Sequence, residues 1–188
     1  MIEIREELPT AETIATYREI PMAFLVKSRY EAQPKSAGRW DLQEVAVDPP
    51  FTKDYDEAES PHEWASVFDL SNWIILSAFD AERRVGGALL AFNTRGIDML
   101  EGRSDLTVIW DIRVAPEFRR HGIGSALFEN AVQWARKSGC LELKVETQNI
   151  NAAACNFYAR MGCELRAVRE GAYPTLPNEI QFLWYREV

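Results

Sequence analysis

The second half of the chain alternates strand-like and helix-like segments, and this alternation restricts the possible folds more than any other feature of the sequence. The run LTVIWDIRV is apolar and β-branched, is closed by Pro116, and predicts a strand. A glycine turn follows, and then a helical pattern that ends at Gly139. One face of this helix carries four apolar residues, Ile123, Leu127, Ala131 and Trp134.

The same order of strand and helix is repeated towards the end of the sequence. The run LELKVET predicts a strand, and Asn151 is suited to cap the N-terminus of the next helix, which ends at Gly162. The apolar stripe of that helix consists of Ala154, Phe157, Tyr158 and Met161. The run EIQFLWYREV predicts a last strand.

The first half of the chain predicts mainly strands. Strand-like runs occur at IEIRE, MAFLVKSRYEAQ, WDLQEVAVD, WIILSAF and VGGALLAF, and the last two can form a hairpin across DAERR. The acidic, proline-bounded segment PPFTKDYDEAESPHEW predicts an exposed loop or a short helix, and residues 93–105 predict a loop longer than a hairpin needs. Strands followed by β-turn-α-β-α-β predict an α/β fold with a mixed, largely antiparallel sheet.

Length and composition narrow the class of protein. A chain of 188 residues is long enough for one domain with a full core, so a single domain over 1–188 is predicted. No window reaches the run of about 18 apolar residues that a membrane helix needs, and the acidic N-terminus differs from a signal peptide. We therefore expect a cytoplasmic protein with no membrane partner. The net charge of −8 argues against nucleic acid as a partner.

Neither the cysteines nor the histidines form a metal-binding pattern. Cys140, Cys155 and Cys163 are odd in number, lack C-x-x-C spacing, and are expected to be buried, reduced thiols. His62 and His121 are far apart and flank no carboxylate cluster. The sequence therefore predicts no metal site.

The stretch RRHGIGSAL combines arginines, glycines and the start of a helix, which are the parts of a site for a phosphate or pyrophosphate group. Gly122 and Gly124 let a ligand approach the main chain, and the helix presents unpaired N–H groups and the positive end of its dipole. Arg119 and Arg120 add positive charge at the same place. A strand-to-helix turn with solvated arginines explains these residues equally well. The third glycine of a dinucleotide-binding loop and the Gly-Lys-Ser/Thr of a P-loop are both missing.

Two motifs in this order resemble those of the GCN5-related N-acetyltransferase (GNAT) family. The run VAPEFRRHGIGSAL resembles the family's acyl-CoA motif, Arg/Gln-x-x-Gly-x-Gly/Ala, with Arg119, Gly122 and Gly124 at the fixed positions. The run NAAACNFYARMGC resembles the family's N-x-x-A-x-x-F-Y-x-x-x-G-F helix, except that Cys163 replaces the final aromatic residue. The resemblance implies an acetyl-CoA-dependent N-acetyltransferase with a mixed, mostly antiparallel sheet and helices on both of its faces.

The resemblance also implies where acetyl-CoA binds. Two neighbouring strands would splay apart at Val114 and Thr147, and the pantetheine arm would pair with the main chain near Ile112 and Val114. Asn151 would belong to the same cofactor site. In this scheme residues 73–188 form the acetyl-CoA-binding core, and residues 1 to about 70 lie on the acceptor side. The pyrophosphate would rest on the backbone amides of Arg119, Arg120, His121, Gly122, Ile123, Gly124 and Ser125.

Acetylation of an amine needs a base, because an alkylammonium group titrates near about 10.4 and is inert when protonated. It also needs an acid near the departing thiolate. In several family members a glutamate that matches Glu146 is the base, and a tyrosine that matches Tyr158 protonates the sulfur. By strand alternation Glu146 shares a face with Glu142 and Lys144, so a solvated surface carboxylate is the alternative. Tyr158 could equally be a core aromatic residue, and its two roles are compatible.

Asp111, in the same strand as Ile112, is a second candidate for the base. Because it alternates with Trp110 and Ile112, it is expected to face away from them. A structural or substrate-binding role is favoured for Asp111, and Trp110 is assigned to the substrate side with it.

Within the family the chain is most similar to the streptothricin acetyltransferases of bacteria, through SRYE, W-x-x-x-E, PPFTKDY, VGG and VETQNINAAACNFY. Those enzymes acetylate an amino group of a cationic antibiotic, so a small cationic amine is the implied acceptor. Two features depart from that branch: the loop 93–105 is longer, and Trp110 stands where the branch has an acidic residue. One acidic run of the sequence comprises Asp54, Asp56, Glu57 and Glu59. It would suit a cationic acceptor, or it would form only a solvated loop.

Other acceptors and another class of function stay open at this point. A protein N-terminus or a lysine side chain would use the same catalytic groups. A non-catalytic acetyl-CoA-binding module would keep the glycine turn but would not need Glu146 and Tyr158 together. The acceptor, the choice between a monomer and a homodimer, and the role of loop 93–105 do not follow from the sequence.

Overall fold

The computed structural model describes residues 1–57 and 63–188. Within them the α-helices are α1 (Ala11–Tyr17), α2 (Trp64–Val67), α3 (Ile123–Lys137) and α4 (Ala152–Arg160). The strands are β1 (Ile2–Glu7), β2 (Phe24–Pro34), β3 (Trp40–Lys53), β4 (Ile74–Asp80), β5 (Arg83–Phe92), β6 (Leu106–Val114), β7 (Glu142–Gln148), β8 (Glu164–Arg169) and β9 (Gln181–Glu187).

The chain divides into two compact units. The first comprises Met1–Ala23, Asp54–Leu143 and Val188, and the second comprises Phe24–Lys53 and Lys144–Glu187. Strand β7 therefore begins in the first unit and continues in the second. The single domain over 1–188, with its division near residue 70, stays a prediction.

The first unit is built on four antiparallel strands in the order β1-β4-β5-β6. Two adjacent glycines of β5 show which helix covers each face of this sheet. A Cβ on Gly86 would lie 3.2 Å from Ile123 of α3, whereas a Cβ on Gly87 would lie 2.6 Å from the ring of Tyr17 of α1. Because successive strand residues face opposite sides, α1 and α3 cover opposite faces. Helices thus lie on both faces of this sheet.

The predicted apolar face of α3 packs into the core of the first unit. Ile123, Leu127 and Ala131 are buried, as predicted. Trp134 is only half-buried, and its ring meets that of Phe92 edge to face with centroids 5.8 Å apart. On the α1 side a second cluster of buried apolar residues consists of Ile14, Tyr17, Trp64, Trp73, Ile75, Leu89, Ala91, Ile97, Leu100 and Val108.

The second unit contains the hairpin β2–β3, the helix α4 and strands in the order β7-β9-β8. Both β2–β3 and β8–β9 are antiparallel pairs. Asn151 caps α4 as predicted, since its side chain accepts a hydrogen bond from the N–H of Ala154 at 3.1 Å. The predicted fold class, α/β with mostly antiparallel strand pairing, is confirmed.

The prediction of a loop or a short helix is wrong for the first residues of the segment that begins at PPFTK. Residues 54–57 do lie outside the helices and strands, and the short helix α2 begins at Trp64, the last residue of the segment. Strand β3 continues through Pro49 and Pro50 to Lys53 instead of ending in a loop or a short helix. Its pairing with β2 shifts register between Val26 and Ser28, opposite these prolines, so the missing N–H groups of the prolines interrupt no ladder hydrogen bond. The later part of the segment, with Glu59 and His62, lies outside the described residues.

Helix α1 is absent from the sequence-based prediction. Thr10 caps it by accepting a hydrogen bond from the N–H of Thr13 at 3.2 Å, and Glu12 lies in its first turn. These are ordinary signals of a helix start. The helix is only seven residues long, so its hydrophobic period is too short to be distinct, and the burial of Ile14 and Tyr17 stabilises it.

All three cysteines are free and buried, as expected. Burial raises the pKa of Cys155 to about 11 and that of Cys163 to about 12. Both thiols are therefore protonated at neutral pH and are weak nucleophiles.

Residues 1–57 and 63–188 contain no helix with the length and apolar character to cross a membrane. The same residues include no group of histidine, cysteine, aspartate and glutamate side chains arranged to hold a metal ion.

Replacing Gly87 with alanine is expected to destabilise the protein by about 1–3 kcal/mol, because the new methyl group would overlap the ring of Tyr17. Tyr17 cannot easily move, since it is fully buried and its hydroxyl donates a hydrogen bond to Asp111. Urea unfolding would measure the loss. Gly86→Ala is the matched comparison, with its nearest contact at 3.1 Å and a smaller expected loss. Equal stability of Gly87→Ala and the wild type would contradict this packing.

Candidate active site

The glycine turn (residues 119–125) leads the chain from the end of β6 into α3. After a short 3-10 turn at Pro116–Phe118, the backbone enters the left-handed region at Arg120 and again at Gly122, with φ values of 69° and 83°. Gly122 is the N-cap of α3 and has no side chain to cap it. The first three helical N–H groups, those of residues 123–125, have no acceptor within the helix. This end of α3 therefore offers backbone donors to an anion.

The two arginines of the glycine turn are used differently. Arg119 holds the turn in place, because its Nε donates to the carbonyl of Val114 at 3.0 Å and its Nη2 to those of Pro21 and Ala23 at 3.4 and 3.5 Å. Arg120, like His121 beside it, is exposed. Arg119 thus fixes the turn while keeping its charge nearby, and Arg120 is open to a ligand.

Strand β6 carries a β-bulge that the sequence pattern did not predict. Leu89 of β5 pairs with Asp111, but the next residue, Leu90, pairs with Ile109, so Trp110 is the extra residue. The ring of Trp110 lies 5.3 Å from that of Trp73, in the cluster on the α1 side. Asp111 also points to the α1 side. The expectation that Asp111 and Trp110 face opposite sides is therefore wrong, because the bulge breaks the alternation.

Asp111 belongs to a buried polar network in the first unit. Tyr17 donates to its Oδ1 at 2.5 Å, and Arg113 donates from Nε to Oδ1 at 2.9 Å and from Nη2 to Oδ2 at 2.5 Å. Arg113 also donates to both carboxylate oxygens of Asp56, at 3.1 and 3.2 Å, and to the carbonyl of Ile20. Its side chain is 1% exposed and that of Asp111 is 8% exposed. Both oxygens of Asp111 are thus already paired, which favours a structural role over that of a base.

The same network affects the phenol of Tyr17. Burial, followed by the negative charge of Asp111, raises the pKa of Tyr17 well above its usual value. Tyr17 therefore stays protonated and acts as a hydrogen-bond donor. Trp110 is therefore held by packing, and Asp111 is held by ion pairing. Their role in binding the acceptor stays a prediction.

Glu146 lies on β7, in the second unit, and each of its carboxylate oxygens accepts a hydrogen bond. Tyr173 donates its hydroxyl to Oε1 at 2.5 Å, and Gln181 donates its amide to Oε2 at 2.6 Å. The Tyr173 hydroxyl in turn accepts a hydrogen bond from Gln148 at 3.0 Å. Lys144, on the same side of β7, is only 1% exposed and lies 5.4 Å from the ring centroid of Tyr185. This face of β7 is therefore not the solvated surface that alternation alone allowed.

Tyr158 is a buried residue of α4. Its side chain is 3% exposed, and its ring lies 5.1 Å from that of Phe157, edge to face. The buried side of α4 centres on Cys155 and Tyr158, whereas Ala154, Phe157 and Met161 are half-buried. Tyr158 therefore has the apolar surroundings predicted for its ring, and its role as an acid stays a prediction.

Sequence reasoning missed two residues of the second unit, Tyr173 and Asn149. Asn149 is buried and forms four hydrogen bonds, two through its main chain and two through its side chain, to Tyr30 of β2 and to Ile180 just before β9. It joins the end of β7 to both segments. A buried asparagine of this kind could be suspected from its place in the polar run TQNIN, but its partners are far away in sequence.

The structure groups the predicted site residues by unit. The glycine turn lies in the first unit with Ile112 and Val114, which are half-buried on β6. Glu146, Tyr158 and Asn151 lie in the second unit.

Comparison with known proteins identifies the group to which this chain is related. The profile of the Acetyltransferase (GNAT) family matches residues 30–163. Streptothricin acetyltransferase A of Bacillus subtilis (strain 168) is 29% identical over 150 residues, which cover 79% of this chain and 80% of that protein. Streptothricin acetyltransferase of Escherichia coli is 27% identical over 177 residues, with 93% and 91% of the two chains covered.

A solved structure extends this likeness to the whole fold. A protein of Bacillus anthracis str. Ames that is assigned as a streptothricin acetyltransferase, in complex with acetyl coenzyme A, matches with a TM-score of 0.81. The two chains are 26% identical, and all of each chain is covered. The chain therefore belongs to the Acetyltransferase (GNAT) family, and it is an acetyl-CoA-dependent N-acetyltransferase.

Proposed function

We propose that the enzyme transfers the acetyl group of acetyl-CoA to a primary amine of a small, cationic acceptor of the streptothricin class. The observation that carries this proposal is the similarity to streptothricin acetyltransferases over 79% and 93% of the chain. The net charge of −8 supports a cationic acceptor, because an acidic protein attracts it from solution.

The glycine turn would hold the pyrophosphate of acetyl-CoA. The turn ends in a helix N-terminus that no side chain caps, and a Cβ on Gly122 would meet no atom within 4 Å. The Arg119 N–H already donates to the carbonyl of Pro116 at 3.3 Å, so the amides from Arg120 to Ser125 are the proposed donors. Such a helix end favours an anion through its N–H groups and its dipole. Arg120 would add a charge from the exposed side of the turn. Ile112 and Val114 would lie along the pantetheine arm.

Glu146 would act as the general base. At neutral pH the acceptor amine is mostly an ammonium ion, so one proton must leave before nitrogen can attack the thioester carbon. The carboxylate would take that proton, directly or through water. Tyr173 and Gln181 donate to different oxygens of the carboxylate and so hold it in one orientation for this transfer.

Tyr158 would supply the proton that the departing thiolate of coenzyme A needs. Its buried ring fixes the direction of the hydroxyl, as expected of a group that must meet one atom of the ligand. Direct transfer from acetyl-CoA to the amine is further supported by the buried thiols of Cys155 and Cys163. The high pKa values of these thiols, about 11 and 12, make them poor nucleophiles for a covalent acyl-enzyme step.

A screen of amine acceptors that includes streptothricin tests the acceptor class. Release of the free thiol of coenzyme A would be measured for each amine, with the antibiotic expected to give the highest kcat/KM. Turnover of a peptide N-terminus or a peptide lysine, with none of streptothricin, would contradict the proposal.

The ionic strength of the assay gives a second test of the acceptor. The KM for a polycationic acceptor should rise with salt, because screening weakens its attraction to the acidic protein. The KM for acetyl-CoA, an anion, should not rise. A salt-independent KM for every active acceptor would favour a neutral or apolar substrate instead.

A further inference from the structure

We infer that Tyr173 is a positioning residue of the reaction: its hydroxyl fixes the Glu146 carboxylate in the orientation that accepts the amine proton. This inference rests on the proposed role of Glu146 as the base. Tyr173 lies in the loop between β8 and β9, which the family motifs quoted above do not include. Its contact with Glu146 joins residues 27 positions apart in the sequence.

The direction of the hydrogen bonds supports this role. The Tyr173 hydroxyl accepts from the amide of Gln148 at 3.0 Å, so its single proton points to Glu146 Oε1, 2.5 Å away. Gln181 donates to Oε2 from the other side at 2.6 Å. The carboxylate is therefore held by two donors, one on each oxygen, and cannot rotate about its last torsion without losing both.

The two donors also prepare the carboxylate for the reaction. Because Tyr173 and Gln181 fix its direction, the base would be oriented before the acceptor binds. No reorganisation of the carboxylate is then needed when the proton is transferred.

The loop that carries Tyr173 is anchored independently of the Tyr173 hydroxyl. Glu179, at its other end, forms a largely buried ion pair with Lys53 at 2.6 Å. Ile180 is bound by Asn149 through both main-chain and side-chain hydrogen bonds. The loop should therefore keep its place when the hydroxyl of Tyr173 is removed, and a loss of activity can be assigned to the missing hydrogen bond.

The test is a set of variants measured for kcat, for the KM of acetyl-CoA and for thermal stability. Tyr173→Phe should lower kcat about 10-fold, the scale of one hydrogen bond to a charged group, with the KM of acetyl-CoA and the Tm nearly unchanged. Tyr30→Phe is the matched control: it also removes a tyrosine hydroxyl of the second unit, one that donates to Asn156 at 2.9 Å and not to Glu146. It should keep wild-type kcat.

A double-mutant cycle separates this inference from the proposed function. In the Glu146→Gln background Tyr173→Phe should change kcat less than about twofold, because the group that it positions is gone. If Glu146→Gln is slow but Tyr173→Phe matches Tyr30→Phe, the positioning role is overturned and the base stands. If the two losses add in full, Tyr173 acts independently of Glu146 and the inference also fails. If Glu146→Gln keeps wild-type kcat, both the base and its positioning residue are rejected.

Gln181→Met provides a second variant, should Tyr173→Phe fold poorly. It removes the donor to the other oxygen while keeping the length of the side chain. The same pattern is expected: a lower kcat, an unchanged KM for acetyl-CoA and no additional loss in the Glu146→Gln background. A wild-type kcat for Gln181→Met, beside a slow Glu146→Gln, would overturn the view that the pair of donors orients the base.

Discussion

Replacing Glu146 with glutamine is expected to lower kcat by about 10²–10⁴-fold at neutral pH, the usual contribution of general base catalysis. Glutamine keeps the shape of the side chain but cannot take the ammonium proton. Acetyl-CoA affinity should stay nearly constant, because the glycine turn that is proposed to bind it lies elsewhere in the chain. Steady-state kinetics with a saturating acceptor, together with calorimetric titration of acetyl-CoA, would measure the two effects separately.

The dependence of this defect on pH identifies its cause. The deficit of Glu146→Gln should shrink as the pH approaches the pKa of the acceptor amine, near about 10.4, because solution then supplies the free base. Tyr158→Phe should also slow turnover, but alkali should not rescue it, since the missing group is an acid. A Glu146→Gln enzyme with wild-type kcat would show that another base or ordered water removes the proton.

Asp111→Asn is the comparison that decides between the two carboxylates. Because Asp111 is paired with Arg113 and Tyr17, its replacement should destabilise the fold more than it slows the reaction of the folded fraction. Stability and kcat must therefore be measured on the same preparation. A large loss of kcat in folded Asp111→Asn, with Glu146→Gln unaffected, would place the base on β6.

Replacing Gly122 with valine is expected to weaken acetyl-CoA binding by about 10–100-fold, the cost of losing one charge-assisted hydrogen bond or more. Gly122 has a φ of 83°, which a β-branched residue adopts only with strain, so the turn would change its path. The valine side chain would also occupy open space beside the first N–H groups of α3, where a Cβ meets no protein atom within 4 Å. Calorimetric titration would give the dissociation constant.

Gly139→Val is the matched control for strain. Gly139 follows the other end of α3 with a φ of 79°, and a Cβ there also meets nothing within 4 Å. Both variants should lose a similar amount of stability in urea unfolding, but only Gly122→Val should lose acetyl-CoA affinity. Equal dissociation constants for the wild type and Gly122→Val would remove the argument that this turn binds the pyrophosphate.

Predictions that depended on short-range chemistry were accurate. The capping of α4 by Asn151, the start of α3 at the glycine turn and the ends of both helices near Gly139 and Gly162 depend on residues a few positions apart. Cap and glycine preferences act over one turn of helix, so they are visible in the sequence. The two family motifs lie on these same elements, so the sequence alone indicates an acetyltransferase.

Predictions that depended on strand pairing were less accurate. The path of β3 through Pro49 and Pro50 is possible only because β2 pairs with it and shifts register opposite the prolines. The common direction of Trp110 and Asp111 likewise depends on a bulge in the pairing of β6 with β5. A side-chain period of two holds only in an unbroken ladder, and the position of a bulge is set by both strands together.

By itself the sequence determined the order of the elements from β4 to α4, the fold class and the family, and the family resemblance identified Glu146 and Tyr158 as the candidate catalytic pair. Only the tertiary structure decided which side chains bind the two carboxylates: Tyr17, 94 positions away, donates to Asp111, and Tyr173, 27 positions away, donates to Glu146. Local patterns specify helices and strands because their hydrogen bonds and caps are short-range. The partners of a buried charge come from distant parts of the chain, so they are known only when the fold has brought those parts together.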